Sequence, residues 1–568
     1  MTPTQSTLKE FFEGDKQFFI PVYQRAYSWE EPQWKTFLED LEEATKGENH
    51  YFFGNVLLEK DGNNRLDIID GQQRLTTIII FVRCLVNVLD SKGYDKEQLE
   101  YIKQDYLENR KKPKLNALEY DRDYFYDVII ANSDNKHKPQ TPSQKRILEA
   151  KKFFTKELKS KEITQLEEIL KAMQKAQIIK LEFDNKKDSV LMFELQNNRG
   201  KDLTNMEKLK SYLAYQIYTY SDKDSAESKL NEMVNIFEEI YRILSDIDLS
   251  SIKRLDEDSI LRYFNIATLK SSFAYRENDD SLNYKKELKD IKDSEEKLAW
   301  IDEYVKNLKN AFFDFKTFME SKSEYKEYLL HLGVADTYPF VIKAYRLFRD
   351  DEEKLEGVFK ALEVIAFRDK LVSTRAKIRD KLNSALKNFD SVENLESGIK
   401  YVCDNEWYWN DDNIIKALEP EKHTLDEIAR YIFMRYENAL RSKTARTKGY
   451  KFTLDEIKKP QDNKNPPIEH IAPQTENGEK VASGYCKYDE KFMKSYLNCI
   501  GNLMLIAQPH NISIGNKPFA DKLQSYQNSP MLQHREIKEF ASGEVWDKDS
   551  IDNRHETLVE FILKTWSL

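Results

Sequence analysis

Between residues 221 and 420 the chain carries only three glycines and two prolines. These are the residues that interrupt helices, so their scarcity predicts long, charged, amphipathic helices there. No repeat of fixed period runs through the stretch. The ends read differently. Residues 1–220 mix strand and helix patterns, and Gly, Pro, Asn and His become dense between Lys459 and Pro530. The expected fold is multidomain and mainly α with α+β ends, divided at 1–220, 221–420 and 421–568. The long helices of the middle region offer a surface for a homodimer.

Charge follows the same division. The chain holds 89 Lys and Arg against 99 Asp and Glu, a formal net of −10. Residues 421–568 hold 22 basic and 21 acidic side chains, so the first 420 hold 67 and 78. This balance excludes a generic DNA-coating protein but leaves room for a localised DNA site. The acid-free run from Arg441 to Lys451, with Lys443, Arg446 and Lys448, is a candidate phosphate contact. The four cysteines form no CxxC pair and are too few for a disulfide scaffold. The opening residues lack a signal-peptide pattern, and the apolar stretch Leu75–Leu89 is too short and polar to span a bilayer. A cytoplasmic protein without a membrane partner is expected.

Local signals place the N-terminal elements. Phe18–Tyr23 reads as extended, because Pro21 disfavours helix at Ile20. Ser28 is the expected cap of a helix starting near Trp29. Tyr51–Leu58 and Arg65–Ile69, joined by Asp61-Gly62-Asn63-Asn64, read as a hairpin. A buried helix runs on to Leu89. Ser143 is the expected cap of the helix ending near Leu158, and Gln177–Phe183 reads as a strand.

The C-terminal segment holds a more specific pattern. Ile468-Glu469-His470-Ile471-Ala472-Pro473-Gln474 is followed by Gly501-Asn502-Leu503 and then by Asn511, Asn516 and Lys517. An acid beside a histidine, a downstream Asn-Leu and a further polar residue resemble the HNH, or ββα-metal, nucleases. The string is closest to the GmrD-type half of GmrSD restriction enzymes. Phosphodiester hydrolysis needs an activated water, and a neutral imidazole takes a proton near pH 7, so His470 is the expected general base. The resemblance implies Glu469 and Asn511 as metal ligands, with Asn502 orienting the loop that carries His470. His510, beside Asn511, is the alternative ligand. Oxygen donors suit Mg²⁺ or Mn²⁺. The zinc knuckles of many HNH domains are absent. Ile514 stands where many carry Lys, so Lys517 is the expected phosphate contact.

Asp70-Gly71-Gln72-Gln73-Arg74 lies at a strand-to-helix junction. Gly71 permits a tight turn, and the helix N-terminus favours an anion. Gln72, Gln73 and Arg74 are candidate nucleotide contacts, joined by Tyr23, Gln24 and Arg25. Asp70 is a candidate to hold a metal or polarise a water. Together with Ile20-Pro21-x-Tyr23-Gln24-Arg25-x-Tyr27-x-Trp29 and Asn197-x-x-Gly200, the segment resembles the GmrS-type domain. That domain is related to the ParB/sulfiredoxin-like fold, and in it the Asp-Gly-Gln-Gln-Arg element is associated with NTP binding and hydrolysis. The resemblance implies an NTP-regulated, metal-dependent type IV endonuclease that cuts modified double-stranded phage DNA. Phosphorothioate sensing or nicking, and a nucleotide sensor with a vestigial nuclease site, are the alternatives.

Overall fold

The computed structural model describes residues 4–568 apart from 22–23, 47–50, 61–63, 134–137, 184–203, 248–254, 270–282, 420–426, 445–450, 455–467, 475–482, 486–488 and 516. Tyr23, Asn197, Gly200, Arg446, Lys448 and Asn516 lie outside the described residues. The chain divides into two compact units. One comprises residues 1–248, 255–265 and 269–316, and the other 249–254, 266–268 and 317–568. The expected connecting region is therefore not a body of its own; it is shared between the units. Most described residues are helical. Among them, no helix is long and apolar enough to cross a membrane.

The first unit contains a six-stranded mixed sheet. Its strands are β1 (Thr4–Thr7), β2 (Gln17–Phe19), β3 (Phe52–Lys60), β4 (Arg65–Asp70), β5 (Leu115–Asn116) and β6 (Gln177–Phe183). Their order is β1-β6-β3-β4-β2-β5. The expected hairpin forms, with Lys60 opposite Leu66 in antiparallel β3 and β4. Strand β6 runs parallel to β3, and β2 parallel to β4.

Helix α1 (Glu31–Ala44) begins later than the Ser28 signal predicts. Glu30 caps it, and Gln33 bonds back to the Glu30 N–H at 2.9 Å. Ser28 is turned towards Gln73 instead, its N–H and its hydroxyl both donating to the Gln73 Oε1, at 2.8 and 3.4 Å. Helix α2 (Gln72–Ser91) follows β4 and is buried almost all round, as its apolar run requires. Helix α3 (Pro142–Lys159) is capped by Thr141 and not by Ser143. Pro142, which has no N–H to satisfy, takes the first helical position, and Ser143 bonds Asp121 at 2.6 Å. Phe37, Phe81 and Phe154 from these three helices meet edge to face in the core. Helix α4 (Asn205–Tyr220) carries a reciprocal cap between Thr204 and Glu207.

In the second unit, helices α5 (Glu324–Leu332), α6 (Glu352–Val372) and α7 (Glu427–Lys443) surround the buried carboxylate of Glu363. Glu363 accepts from the Tyr431 hydroxyl at 2.6 Å, from Arg435 at 2.7 Å and from the Trp566 indole. The Arg435 guanidinium lies over the rings of Tyr328 and Trp566, 4.4 and 5.4 Å from their centroids. The same unit holds an antiparallel strand pair, β7 (Ile468–His470) and β8 (Leu503–Leu505), with His470 opposite Leu503. Among the helices that follow are α8 (Gln508–Ile514), α9 (Phe519–Gln527) and α10 (Lys548–Thr565).

Candidate functional site

The Asp70–Arg74 segment forms the expected strand-turn-helix junction. Gly71 caps α2 with φ +98°, and a Cβ there would lie 2.8 Å from Val56 Cγ2. Both the left-handed backbone and the close approach require glycine. The amides nearby behave differently from expectation. Gln72 donates to the Arg25 carbonyl at 3.0 Å and Gln73 to the Ala26 carbonyl at 2.9 Å. Gln24 donates to the Ile69 carbonyl at 2.6 Å. All three are buried. These side chains therefore clip residues 24–28 onto the end of β4 and the start of α2, each spending an amide N–H inside the protein. Tyr27 extends the clip: Trp34 donates to its hydroxyl at 2.8 Å, which lies 2.7 Å from the Thr77 hydroxyl.

Arg74 is likewise committed. Its guanidinium donates to the carbonyls of Phe53 at 2.8 Å and Asn55 at 2.7 Å, straddling Gly54. A Cβ on Gly54 would lie 2.1 Å from the guanidinium. Asp70 sits 3.7 Å from Arg74, and both side chains stay partly exposed. Beside them Trp29, Gln33, Asp40, Tyr51, Phe53 and Arg74 line an open cleft of about 260 Å³.

The C-terminal candidates gather around β7 and β8. His470 Nε2 lies 3.0 Å from Asn498 Oδ1, and the Gln474 amide nitrogen lies 3.1 Å from Nδ1. These two contacts are mutually consistent with a proton on Nε2 and a lone pair on Nδ1. Burial pulls the His470 pKa below the ordinary value, partly opposed by the Asn498 bond. The imidazole is thus held neutral, as a proton acceptor requires.

Asn502 is fully buried and ties the turn together. Its Oδ1 accepts from the Ala472 N–H at 2.8 Å and the Trp546 indole at 2.9 Å, and its Nδ2 donates to the Leu497 carbonyl at 2.8 Å. Ala472 is two residues past His470, so Asn502 fixes the segment that carries the histidine. Gly501 is required by packing: a Cβ there would lie 2.2 Å from the Ile551 carbonyl of α10. From that helix Arg554 donates to the carbonyls of Gly501 and Leu503 at 2.9 and 2.7 Å.

Glu469 is buried, and its Oε1 accepts from Lys522 at 2.6 Å and Tyr526 at 2.8 Å. Asn511 lies on α8, half-buried. His510 bonds Ser525 at 2.7 Å. Among the described residues no group of three or more His, Cys, Asp or Glu is arranged to hold a metal.

The basic run is divided. Arg441 is buried, donates to Glu437 at 2.7 Å and lies over the Phe452 ring at 4.5 Å, so it is not a phosphate contact. The run is free of acids only by its own boundary; Glu437, one helical turn upstream, supplies the counter-charge. Lys451 pairs with Glu324 at 2.9 Å. Lys443 and Lys517 are exposed.

Two family models match the chain: the GmrSD restriction endonuclease N-terminal domain over residues 8–214, and the C-terminal domain over 410–561. Together they span more than half of it, in the order the motifs predict. The chain belongs to the GmrSD restriction endonuclease family. No curated protein gives a significant match. Membership makes the GmrSD chain an endonuclease whose partner is DNA.

The first unit also holds charged side chains, buried at Lys210 and Asp121 and half-buried at Glu257, that no motif announced. Lys210 on α4 donates to the Gln24 carbonyl at 3.3 Å, and burial pulls its pKa down to about 8. Burial pushes Asp121 up to about 6 and Glu257 up to about 7. Glu207, Asp258 and Asp256 add like charge around Glu257, and Thr204 bonds it. A carboxylic acid with a raised folded pKa binds its proton more tightly in the native state. Its stabilisation is complete below the unfolded pKa and is lost as pH rises to about 7. Glu257→Gln keeps the shape and cannot ionise. It is expected to stabilise the protein by roughly 1–3 kcal/mol at pH 8 relative to wild type, shrinking towards zero near pH 5. Denaturant unfolding at the two pH values checks this; an equal difference at both would remove Glu257 as the source.

Proposed function

We propose that this GmrSD chain is a type IV restriction endonuclease. In this reading the second unit hydrolyses DNA by an HNH-type reaction, and the first binds a nucleoside triphosphate that regulates cutting. The observation that carries the nuclease reading is the local frame of His470. A neutral imidazole sits at the end of a short strand pair, its following loop is bolted down by Asn502, and an acid precedes it.

His470 Nδ1 takes the proton from the attacking water, which replaces the Gln474 amide as its partner. Glu469, through its second oxygen, and Asn511 would hold a divalent metal. So small a protein ligand set suits Mg²⁺ or Mn²⁺, which keep waters and bind substrate phosphate. Such an ion, when bound, stabilises charge on the scissile phosphate and leaving oxygen. Lys443 and Lys517, both exposed, are the basic candidates for the DNA backbone.

The nucleotide reading rests on the cleft beside Arg74. Its aromatic lining suits a base, while Asp70 and the start of α2 stand next to it for a phosphate or its ion. Gln24, Gln72 and Gln73 fix the adjoining strand-to-helix turn through their carbonyl bonds.

The test is cleavage of glucosylated, hydroxymethylated, phosphorothioate and plain DNA, with Mg²⁺ or Mn²⁺ and with or without each NTP. Cutting confined to a base-modified substrate and altered by NTP is expected. Nicking of phosphorothioate DNA alone would favour the related backbone-sensing reading. No cleavage of any substrate would favour a sensor with a vestigial nuclease site.

A further inference from the structure

Glu469 and His470 are consecutive in β7, so their side chains leave opposite faces of the strand. A single ammonium nevertheless touches both residues. Lys522 Nζ donates to Glu469 Oε1 at 2.6 Å and to the His470 carbonyl at 2.9 Å. Its side chain is 2% exposed. One helical turn on, Tyr526 donates to the same Glu469 oxygen at 2.8 Å. Residues four apart on α9 share a face, so this helix presents both donors to one oxygen.

Burying a lysine is costly unless its ammonium is paired and bonded. An apolar side chain would fill the same space without that cost. What only the lysine supplies is a charged link between the Glu469 carboxylate and the main chain at His470. We propose that Lys522 is a positioning residue for DNA cleavage. It sets Glu469 and His470 in one rigid frame. With Oε1 filled by two donors, Glu469 would hold a metal through Oε2 alone. Tyr526 assists at the same oxygen and holds no part of His470. The assignment rests on the reading of Glu469 and His470 as the nuclease pair.

The experiment uses the full-length protein on DNA that the wild type cuts, with Mg²⁺ or Mn²⁺. Lys522→Met is expected to lower kcat by about 10–100-fold, the usual cost of losing a group that orients a metal ligand. KM for DNA should stay within about threefold. Lys522→Arg should recover part of kcat, and Tyr526→Phe should show a smaller loss in the same direction. Unchanged kcat in Lys522→Met, or a loss confined to KM, would overturn the proposal. If Lys522→Met does not fold, as read by its unfolding midpoint, Lys522→Arg and Tyr526→Phe decide: wild-type kcat in Tyr526→Phe together with no activity in a folded Lys522→Arg would overturn it. Glu469→Gln and His470→Ala separate the two failures. Full turnover in both would remove the nuclease pair itself. Their inactivity beside a normal Lys522→Met would remove Lys522 alone.

Discussion

His470→Ala is expected to lower DNA cleavage by about 10²–10⁴-fold, the range that a positioned general base contributes. The loss should come without loss of fold. The imidazole is not what holds its own segment in place: Asn502 bonds Ala472, and the β7–β8 pairing fixes the main chain. The groups facing the ring, Asn498 and Gln474, can take water in its absence. Stability should fall by a moderate amount, about 1–3 kcal/mol, for the lost ring and its two bonds. Asn502→Ala is the informative contrast, because it removes bonds to Ala472, Trp546 and Leu497 together. That variant should lose cleavage and stability jointly. Plasmid cleavage and thermal unfolding, measured side by side, check both. A folded His470→Ala protein that cuts at the wild-type rate would end the base assignment.

The largest effect on stability is expected from Glu363→Leu in the second unit. The carboxylate satisfies Tyr431, Arg435 and Trp566 at once. Deleting it leaves a buried guanidinium without its counter-ion and two donors without an acceptor. Breaking one side of such a pair costs about 3–5 kcal/mol. The double variant Glu363→Leu/Arg435→Leu should regain part of that, since no uncompensated charge remains. Denaturant unfolding of the two variants and the wild type is the measurement. A single-variant loss under about 1 kcal/mol would show that water or rearrangement replaces the anion.

Much of the first unit was legible from short-range signals. The hairpin, the extended Phe18–Phe19, the Gln177–Phe183 strand and the buried α2 each follow from periodicity and turn residues. The misread caps at Ser28 and Ser143 have one cause. In each case another cap stood two residues away, Glu30 after Ser28 and Thr141 before Ser143, and tertiary partners, Gln73 for one and Asp121 for the other, hold the serines. The role of the Gln-Gln pair was hidden for another reason. Its partners are backbone carbonyls of Arg25 and Ala26, and a carbonyl has no sequence signature. Arg441 was misread because its ion-pair partner lay outside the window that defined the run.

In the C-terminal part the histidine, its acid and Asn502 stood out because together they resemble the HNH pattern. Lys522, Tyr526, Trp546 and Arg554 did not. They approach from downstream, Lys522 and Tyr526 on α9, Trp546 just before α10 and Arg554 on it, and no periodicity relates any of these to a residue on β7. Only the folded chain brings them together, and only burial distinguishes Lys522 from the many solvated lysines.

The dependence of Asn502 on Trp546, and of the Gly501 turn on α10, has a consequence for synthesis of the protein. His470 leaves the ribosome well before the residues that fix its loop. Until Trp546 and Arg554 have emerged, Asn502 lacks its indole donor and the Gly501 turn its guanidinium. On the proposed reading of His470, a chain ending before Trp546 is expected to cut poorly, which cleavage by a variant truncated at residue 545 checks.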